Sequence, residues 1–370
     1  LRREEGVAKS AKYLLIGSTE AYCGKSATIL GVAHQLHEKG LDIAYGKPLG
    51  TCLKDECPNG IEEDIRFITE VLNLPPKRVH SPLLSLDAET IEKRLRQEDS
   101  TNYRHSLKQY LQEPSGDLIL LEGPGTLSEG CLFDLSLPQV AQEIDAPVLL
   151  VARFHSVLIV ESLLSAKKRL GQHLLGVLIN DIPADQLSVA QTTVRPFLER
   201  QGIPVFGMLP RSELLRSVSV RELVHQLHAE VLCRPDRLDL MVESLTIGAM
   251  NVNAALEYFR KRNNMAVVTG GDRADIQMAA LETSTQCLIL TGHIPPQSFI
   301  LARAEELEIP VLSVDLDTLS TVEIIDNAFG QVRLHEPIKV QFIQQLMAQH
   351  FDIDRLINQL GLEPAVSAHS

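Results

Sequence analysis

From Lys12 to about Pro210 the chain alternates short apolar runs with longer stretches of helical period. Tyr13–Ile16, Ile43–Lys47, Leu118–Leu121, Val148–Ala152, Gly176–Ile179 and Val205–Met208 read as strands, and their apolar residues show no period-2 pattern. Between them Ile61–Leu72, Ala88–Gln97, Ser106–Gln112 and Ser156–Leu170 read as helices. Apolar strands without alternation, interleaved with helices, predict an α/β fold whose parallel sheet is covered on both faces. Ligands of such sheets bind beyond the carboxyl ends of the strands, so the residues just after each strand become the candidates.

The pattern changes past Arg211. Arg211–Arg221 is polar, shows no strand and marks a boundary. Beyond it Glu230–Leu232, Leu245–Ile247, Met265–Val268, Cys287–Leu290 and Val311–Val314 read as short strands. Val252–Lys261, Ala274–Glu282, Pro296–Leu307 and Ser320–Ala328 read as the helices between them. This predicts a second, smaller α/β domain. Ile338, Phe342, Leu346, Ile353, Leu356, Ile357 and Leu360 then recur at helical spacing. They predict a terminal amphipathic helix, which must cover either the chain's own core or the same surface of a second copy. The expected division is therefore 11–215, 216–335, and a helix with its tail over 336–370, behind a frayed lead-in at 1–10.

Chemistry enters at the first strand end. Gly17-Ser18-Thr19-Glu20-Ala21-Tyr22-Cys23-Gly24-Lys25-Ser26 links a strand to a helix and closes on Gly-Lys-Ser. That is the arrangement of a phosphate-binding loop: backbone N–H groups and the helix N-terminus wrap phosphates, Lys25 neutralises charge and the Ser26 hydroxyl sits on Mg²⁺. The spacing is irregular, because Thr19 stands where the usual motif has its first glycine and Gly17 lies further back. The next strand ends add candidates. Lys47 offers a second cation near the phosphates, or simply surface charge. Glu122 is placed to hold Mg²⁺ directly or through water, or to be a solvated strand-end carboxylate. Asn180 is placed to bond a nucleobase edge, or to satisfy its own turn. Asp64, on a predicted helix, is a further metal-shell candidate or part of a solvated face. In the second half Gly270-Gly271 would permit a tight turn, with Asp272 capping the helix that follows.

Composition narrows the classes. A net charge of −13, with 44% apolar and 22% charged residues, argues against a general nucleic-acid or anionic-membrane surface. Basic stretches such as Lys167-Lys168-Arg169 are short, and the longest apolar runs fall far below a bilayer span. The six cysteines form no C-x-x-C pair or zinc spacing, so reduced thiols and a cytoplasmic location are expected. Cys23 lies inside the phosphate loop and is read as an inert small residue. No Ser/His/Asp or Cys/His spacing specifies a nucleophile, and the catalytic residues stay unassigned.

Taken together, the loop ending in Gly24-Lys25-Ser26, Gly46-Lys47-Pro48, Asp117 to Gly123, Pro147 to Val151, Gly176 to Asp181 and Pro204 to Pro210 carry a resemblance. Lys12 to about Leu215 resembles the dethiobiotin-synthetase-like branch of P-loop proteins, which includes relatives of cobyrinic acid a,c-diamide synthase. That resemblance implies a P-loop NTPase fold holding ATP or another purine nucleotide with Mg²⁺. It assigns Lys25 and Ser26 to phosphate and metal, Lys47 to phosphate or substrate, Glu122 to Mg²⁺ and Asn180 to the base.

Val220 to Leu223, Ala229 to Leu232, Ile247 to Met250 and Val268 to Arg273 carry a second likeness, to the DRTGG domain, over about Ser217 to Phe329. The order of the two modules resembles the N-terminal layout of long bacterial phosphotransacetylases. In those enzymes acetyl transfer belongs to a further domain, which this chain is expected to lack. The resemblance therefore implies an ATP- and Mg²⁺-binding regulatory or sensory protein with slow or no turnover. A stand-alone ATP-dependent enzyme of the dethiobiotin synthetase or cobyrinic acid a,c-diamide synthase type is the alternative, and phosphate acetyltransferase activity ranks last. The expected partners are the nucleotide and a second copy, meeting through the P-loop domain or the terminal helix, with neither nucleic acid nor membrane.

Overall fold

The computed structural model describes residues 11–50, 63–111, 116–330 and 336–363. They fall into two compact units, one within Leu1–Arg211 and Leu334–Ser370 and the other within Ser212–Arg333.

The first unit is built on seven strands. They are β1 (Tyr13–Ser18), β2 (Ile43–Gly46), β3 (Val79–His80), β4 (Leu118–Glu122), β5 (Val148–Arg153), β6 (Leu174–Ile182) and β7 (Val205–Pro210). Their order across the sheet is β3-β2-β4-β1-β5-β6-β7, and every pairing is parallel. All five residues of β4 are buried, as a strand covered on both faces requires. The chain leaves β1 toward one edge and crosses to the other after β4. A crevice therefore opens beyond the carboxyl end of β1, between its neighbours β4 and β5. Helix α1 (Lys25–Glu38) follows β1, and α2 (Glu63–Val71) carries Asp64. The expected helix from Ile61 begins outside the described residues, as do Thr51, Cys52 and Cys57.

The last two helices among the described residues, Pro337–His350 and Ile353–Leu360, belong to this unit. The first lies against α1, where Gly31 faces Met347. The turn between them meets the edge strand: Asp352 N–H donates to the Phe206 carbonyl at 2.8 Å, and Gly207 bridges Phe351. Arg355 then grips Glu199 with both guanidinium arms at 2.8 and 3.0 Å. The buried apolar stripe of the first terminal helix is Val340, Ile343, Leu346 and Met347, whereas Ile338 is 52% exposed. Ile338 was expected on the covered face, but at about 100° per residue it points away from Val340.

The main sheet of the second unit has five strands, β8 (Glu230–Cys233), β9 (Ser244–Ile247), β10 (Met265–Gly270), β11 (Thr285–Thr291) and β12 (Val311–Val314). The order is β8-β12-β11-β10-β9, parallel except for β8 against β12. One core packs Val252–Phe259, Ala274–Leu281 and Ser298–Glu306 on the sheet, with Phe259, Ile276 and Ile300 at its centre. A second core sets Val220–Leu227 and Thr318–Gly330 on the opposite face through Leu223 and Ile325. The polar stretch expected to hold no strand does contain one. Val218–Ser219 pairs antiparallel with Met241–Val242, too short a ladder to register as a periodic run. Ser219 then caps the next helix by accepting from Glu222 N–H at 3.3 Å.

Asp272 does not cap the helix after β10. Arg273 holds that position without a side-chain cap, and the Gln277 amide instead donates to the Gly270 and Gly271 carbonyls at 2.9 and 3.0 Å.

A phosphate-type loop at the end of the first strand

Strand β1 ends at Ser18 and α1 begins at Lys25. Gly24 makes the turn between loop and helix in the left-handed region, with φ 103°. Among the described residues no side chain caps α1, which leaves the N–H groups of its first turn to an anionic ligand.

Two hydrogen-bonded relays meet under this loop. In the first, the Lys25 ammonium donates to Ser18 Oγ at 3.2 Å, and Ser18 donates to the Gly125 carbonyl at 2.8 Å. Gly125 N–H is in turn taken by the Glu129 carboxylate. In the second, Ser26 Oγ donates to Glu122 Oε1 at 3.3 Å, while Tyr45 OH donates to Glu122 Oε2 at 2.8 Å. Glu122 is 3% exposed and Tyr45 is fully buried. The parallel register explains the meeting: Ile16 stands opposite Glu122, and Tyr45 opposite Leu120.

The far side of the loop is held by β5 and β6. Arg153 donates to the Tyr22 carbonyl, and His155 Nε2 lies 2.8 Å from Glu20 Oε1. Asn180 Nδ2 donates to the Cys23 carbonyl at 2.9 Å. Asp181, after Asn180, stands 3.0 Å from Arg211 Nε and 3.9 Å from Arg153 Nε. Cys23 is buried with Sγ toward the Val151 carbonyl, and burial pushes its thiol pKa up despite the nearby Lys25. A protonated, enclosed thiol is a poor nucleophile.

Lys25, Ser26, Glu122 and Asn180 are therefore gathered around one loop. Lys47 and Asp64 meet each other: Lys47 is 5% exposed and its Nζ lies 3.9 Å from Asp64 Oδ2. Ser18, Tyr45, Glu129 and Arg153 are the partners that residue spacing missed. The register of β1, β2, β4 and β5 brings in Ser18, Tyr45 and Arg153, while Glu129 reaches Gly125 within the loop after β4.

The donor set fits a hard cation, since the Ser26 hydroxyl and Glu122 carboxylate converge as oxygen ligands. Among the described residues no group of three or more His, Cys, Asp or Glu side chains is placed to hold a metal alone. Mg²⁺ at Ser26 and Glu122 would therefore take its other ligands from phosphate and water. Also among the described residues, no helix is long and apolar enough to cross a membrane.

A phosphate acetyltransferase of Synechocystis sp. is 25% identical over 371 residues, an alignment covering 94% of this chain and 51% of that protein. The phosphate acetyltransferase of Nitratidesulfovibrio vulgaris is 24% identical over 369 residues, with the same two coverages of 94% and 51%. The chain thus spans about half the length of these curated relatives. Among solved structures, the CBS and DRTGG domains of the Clostridium perfringens pyrophosphatase regulatory region, complexed with the activator diadenosine tetraphosphate, match at 21% identity. That match has a TM-score of 0.28 and covers 41% of this chain and 74% of the other. Residues 222–328 match the DRTGG domain. Residues 12–219 match the AAA domain family AAA_26, and over that span, more than half of its 370 residues, the chain belongs to that family.

Proposed function

We propose that the chain binds a purine nucleoside triphosphate, ATP in the first instance, together with Mg²⁺ at the loop after β1. In this reading it turns the nucleotide over slowly or not at all and acts as a regulatory or sensory protein. The observation that carries it is the pair of relays, Lys25–Ser18–Gly125 and Ser26–Glu122–Tyr45, beneath an uncapped helix N-terminus. Lys25 leaves Ser18 to meet the phosphates, the first turn of α1 supplies N–H donors, and Ser26 with Glu122 holds the metal. Mg²⁺, when bound, neutralises phosphate charge. Lys47 adds a second cation beside the phosphates, and Asn180 turns its carbonyl oxygen to the base while its amide holds the loop. The DRTGG unit reads the occupied state, within one chain or in a homo-oligomer, in the cytoplasm.

One observation favours a second reading. A lysine buried as deeply as Lys47, at the next strand end and facing Asp64, suits an acid substrate brought to the terminal phosphate. An ATP-dependent enzyme of the dethiobiotin synthetase type would use it so.

Calorimetric titration of the whole chain with ATP, GTP and cyclic dinucleotides, repeated on Lys25→Ala, tests the first reading. Binding of ATP with Mg²⁺ that Lys25→Ala abolishes is expected. A wild type that binds none of these nucleotides would overturn it, and brisk turnover stimulated by a small carboxylic acid would favour the enzyme. Acetyl-CoA–phosphate exchange by the pure chain would instead assign it the relatives' activity.

A further inference from the structure

Glu122 is held at both oxygens, by two different kinds of donor. Ser26 Oγ, at the mouth of the loop, reaches Oε1 at 3.3 Å, a loose bond that a metal can replace. Tyr45 OH, from the interior of the sheet, reaches Oε2 at the tighter 2.8 Å. Tyr45 is fully buried and lies on β2, whose residues are all buried, so its ring has no room to swing away. Glu122 itself ends a wholly buried strand, and its carboxylate cannot turn to bring both oxygens outward without stranding the phenol.

Divalent cations differ in what they ask of a carboxylate. Mg²⁺ demands a near-ideal octahedron and takes one oxygen from each carboxylate, while Ca²⁺ accepts more ligands and readily takes both oxygens. We infer that Tyr45 is a positioning residue that makes Glu122 a one-oxygen ligand and so selects Mg²⁺ over Ca²⁺ at the nucleotide site. This rests on the nucleotide–Mg²⁺ reading above. In this inference Tyr45 acts through its hydrogen bond to Glu122.

The test is calorimetric titration of the full chain with ATP in Mg²⁺, in Ca²⁺ and in EDTA. It compares wild type, Tyr45→Phe, Glu122→Gln and the double variant, with thermal unfolding as the check on folding. The wild type is expected to bind ATP more tightly with Mg²⁺ than with Ca²⁺. Tyr45→Phe frees Oε2 from the phenol and lowers the Mg²⁺-to-Ca²⁺ affinity ratio roughly fivefold, the worth of one hydrogen bond. In the Glu122→Gln background the same substitution leaves the ratio where it was, because the effect travels through that carboxylate.

An unchanged ratio in a folded Tyr45→Phe overturns the inference. So does a wild type that accepts Ca²⁺ as well as Mg²⁺, a comparison that needs no variant to fold. A wild type that binds no ATP under any condition fails the nucleotide reading itself, and is told apart from these two results by its empty baseline.

Discussion

The Asn180 side-chain amide donates to the Cys23 carbonyl at 2.9 Å, tying the end of β6 to the residue just before Gly24. One amide N–H is spent on the loop, and the second N–H and Oδ1 are what the side chain has left for a base edge. Through the loop bond, Asn180→Ala is expected to weaken ATP and GTP binding by a common factor, roughly fivefold for one lost hydrogen bond. Asn180→Asp, which sets a carboxylate against the Cys23 carbonyl, should weaken both further. Parallel titrations with the two nucleotides check this. A changed ATP-to-GTP preference on top of that common loss would show the carbonyl oxygen reading the base as well.

Gly24 has its own reason to be glycine. Its φ is 103°, and a Cβ built there would lie 2.5 Å from Asn180 Nδ2. Gly24→Ala thus meets left-handed strain and evicts the amide that holds the loop, at about 1–3 kcal/mol of folding free energy. Nucleotide affinity should fall more steeply than stability, because the N–H groups of the first turn lose their aim. Urea unfolding beside calorimetry separates the two.

The parallel sheet was legible because its strands are buried on both faces and so read as unbroken apolar runs. Their ends were less so. Ser18, Glu122 and Arg153 extend β1, β4 and β5 by polar residues that an apolar pattern stops short of. The loop's own Gly24-Lys25-Ser26 is local, and a local spacing carries it. Its supports are not local: Ser18 meets Gly125 and Tyr45 meets Glu122 only once β1, β2 and β4 are in register. Ile338 shows the opposite error, a regular spacing whose first member lies off the buried stripe.

Glu199 and Arg355 give a pH handle on the terminal helices. The Arg355 guanidinium holds the Glu199 carboxyl below its ordinary range, helped by the Val205 N–H at 2.9 Å. A carboxylate depressed in the folded state adds stability that is fully present above its unfolded pKa of about 4.3 and is lost as pH falls through the lower folded value. At neutral pH Glu199→Ala is expected to cost about 1–2 kcal/mol, since it strands both the guanidinium and an edge-strand N–H. Below about pH 4 the gap between variant and wild type should close. Denaturant melts across pH 3–7, with hydrogen exchange on Ile353–Leu360, read both effects. A gap that stays constant to pH 3 would show the pair to be idle.

Gly271 is required for space. A Cβ there would come within 2.1 Å of the Ile294 carbonyl oxygen, a backbone atom beyond β11 that cannot step aside alone. Gly271 also donates its N–H to the Thr291 carbonyl at 3.2 Å and accepts from Gln277, so the two loops are already drawn together. Gly271→Ala should therefore destabilise the second unit by about 1–3 kcal/mol, the usual cost of forcing a group into a filled site. The loss should appear as faster amide exchange along β10 and β11. Asp272→Ala, one residue on, is the matched control. A capping aspartate would cost about 1 kcal/mol on removal. An exposed one that caps nothing should stay within about 0.5 kcal/mol of wild type. A large effect at Asp272 with little at Gly271 would reverse the roles assigned to the two residues, and would mean that the helix after β10 starts one residue earlier than the backbone has it.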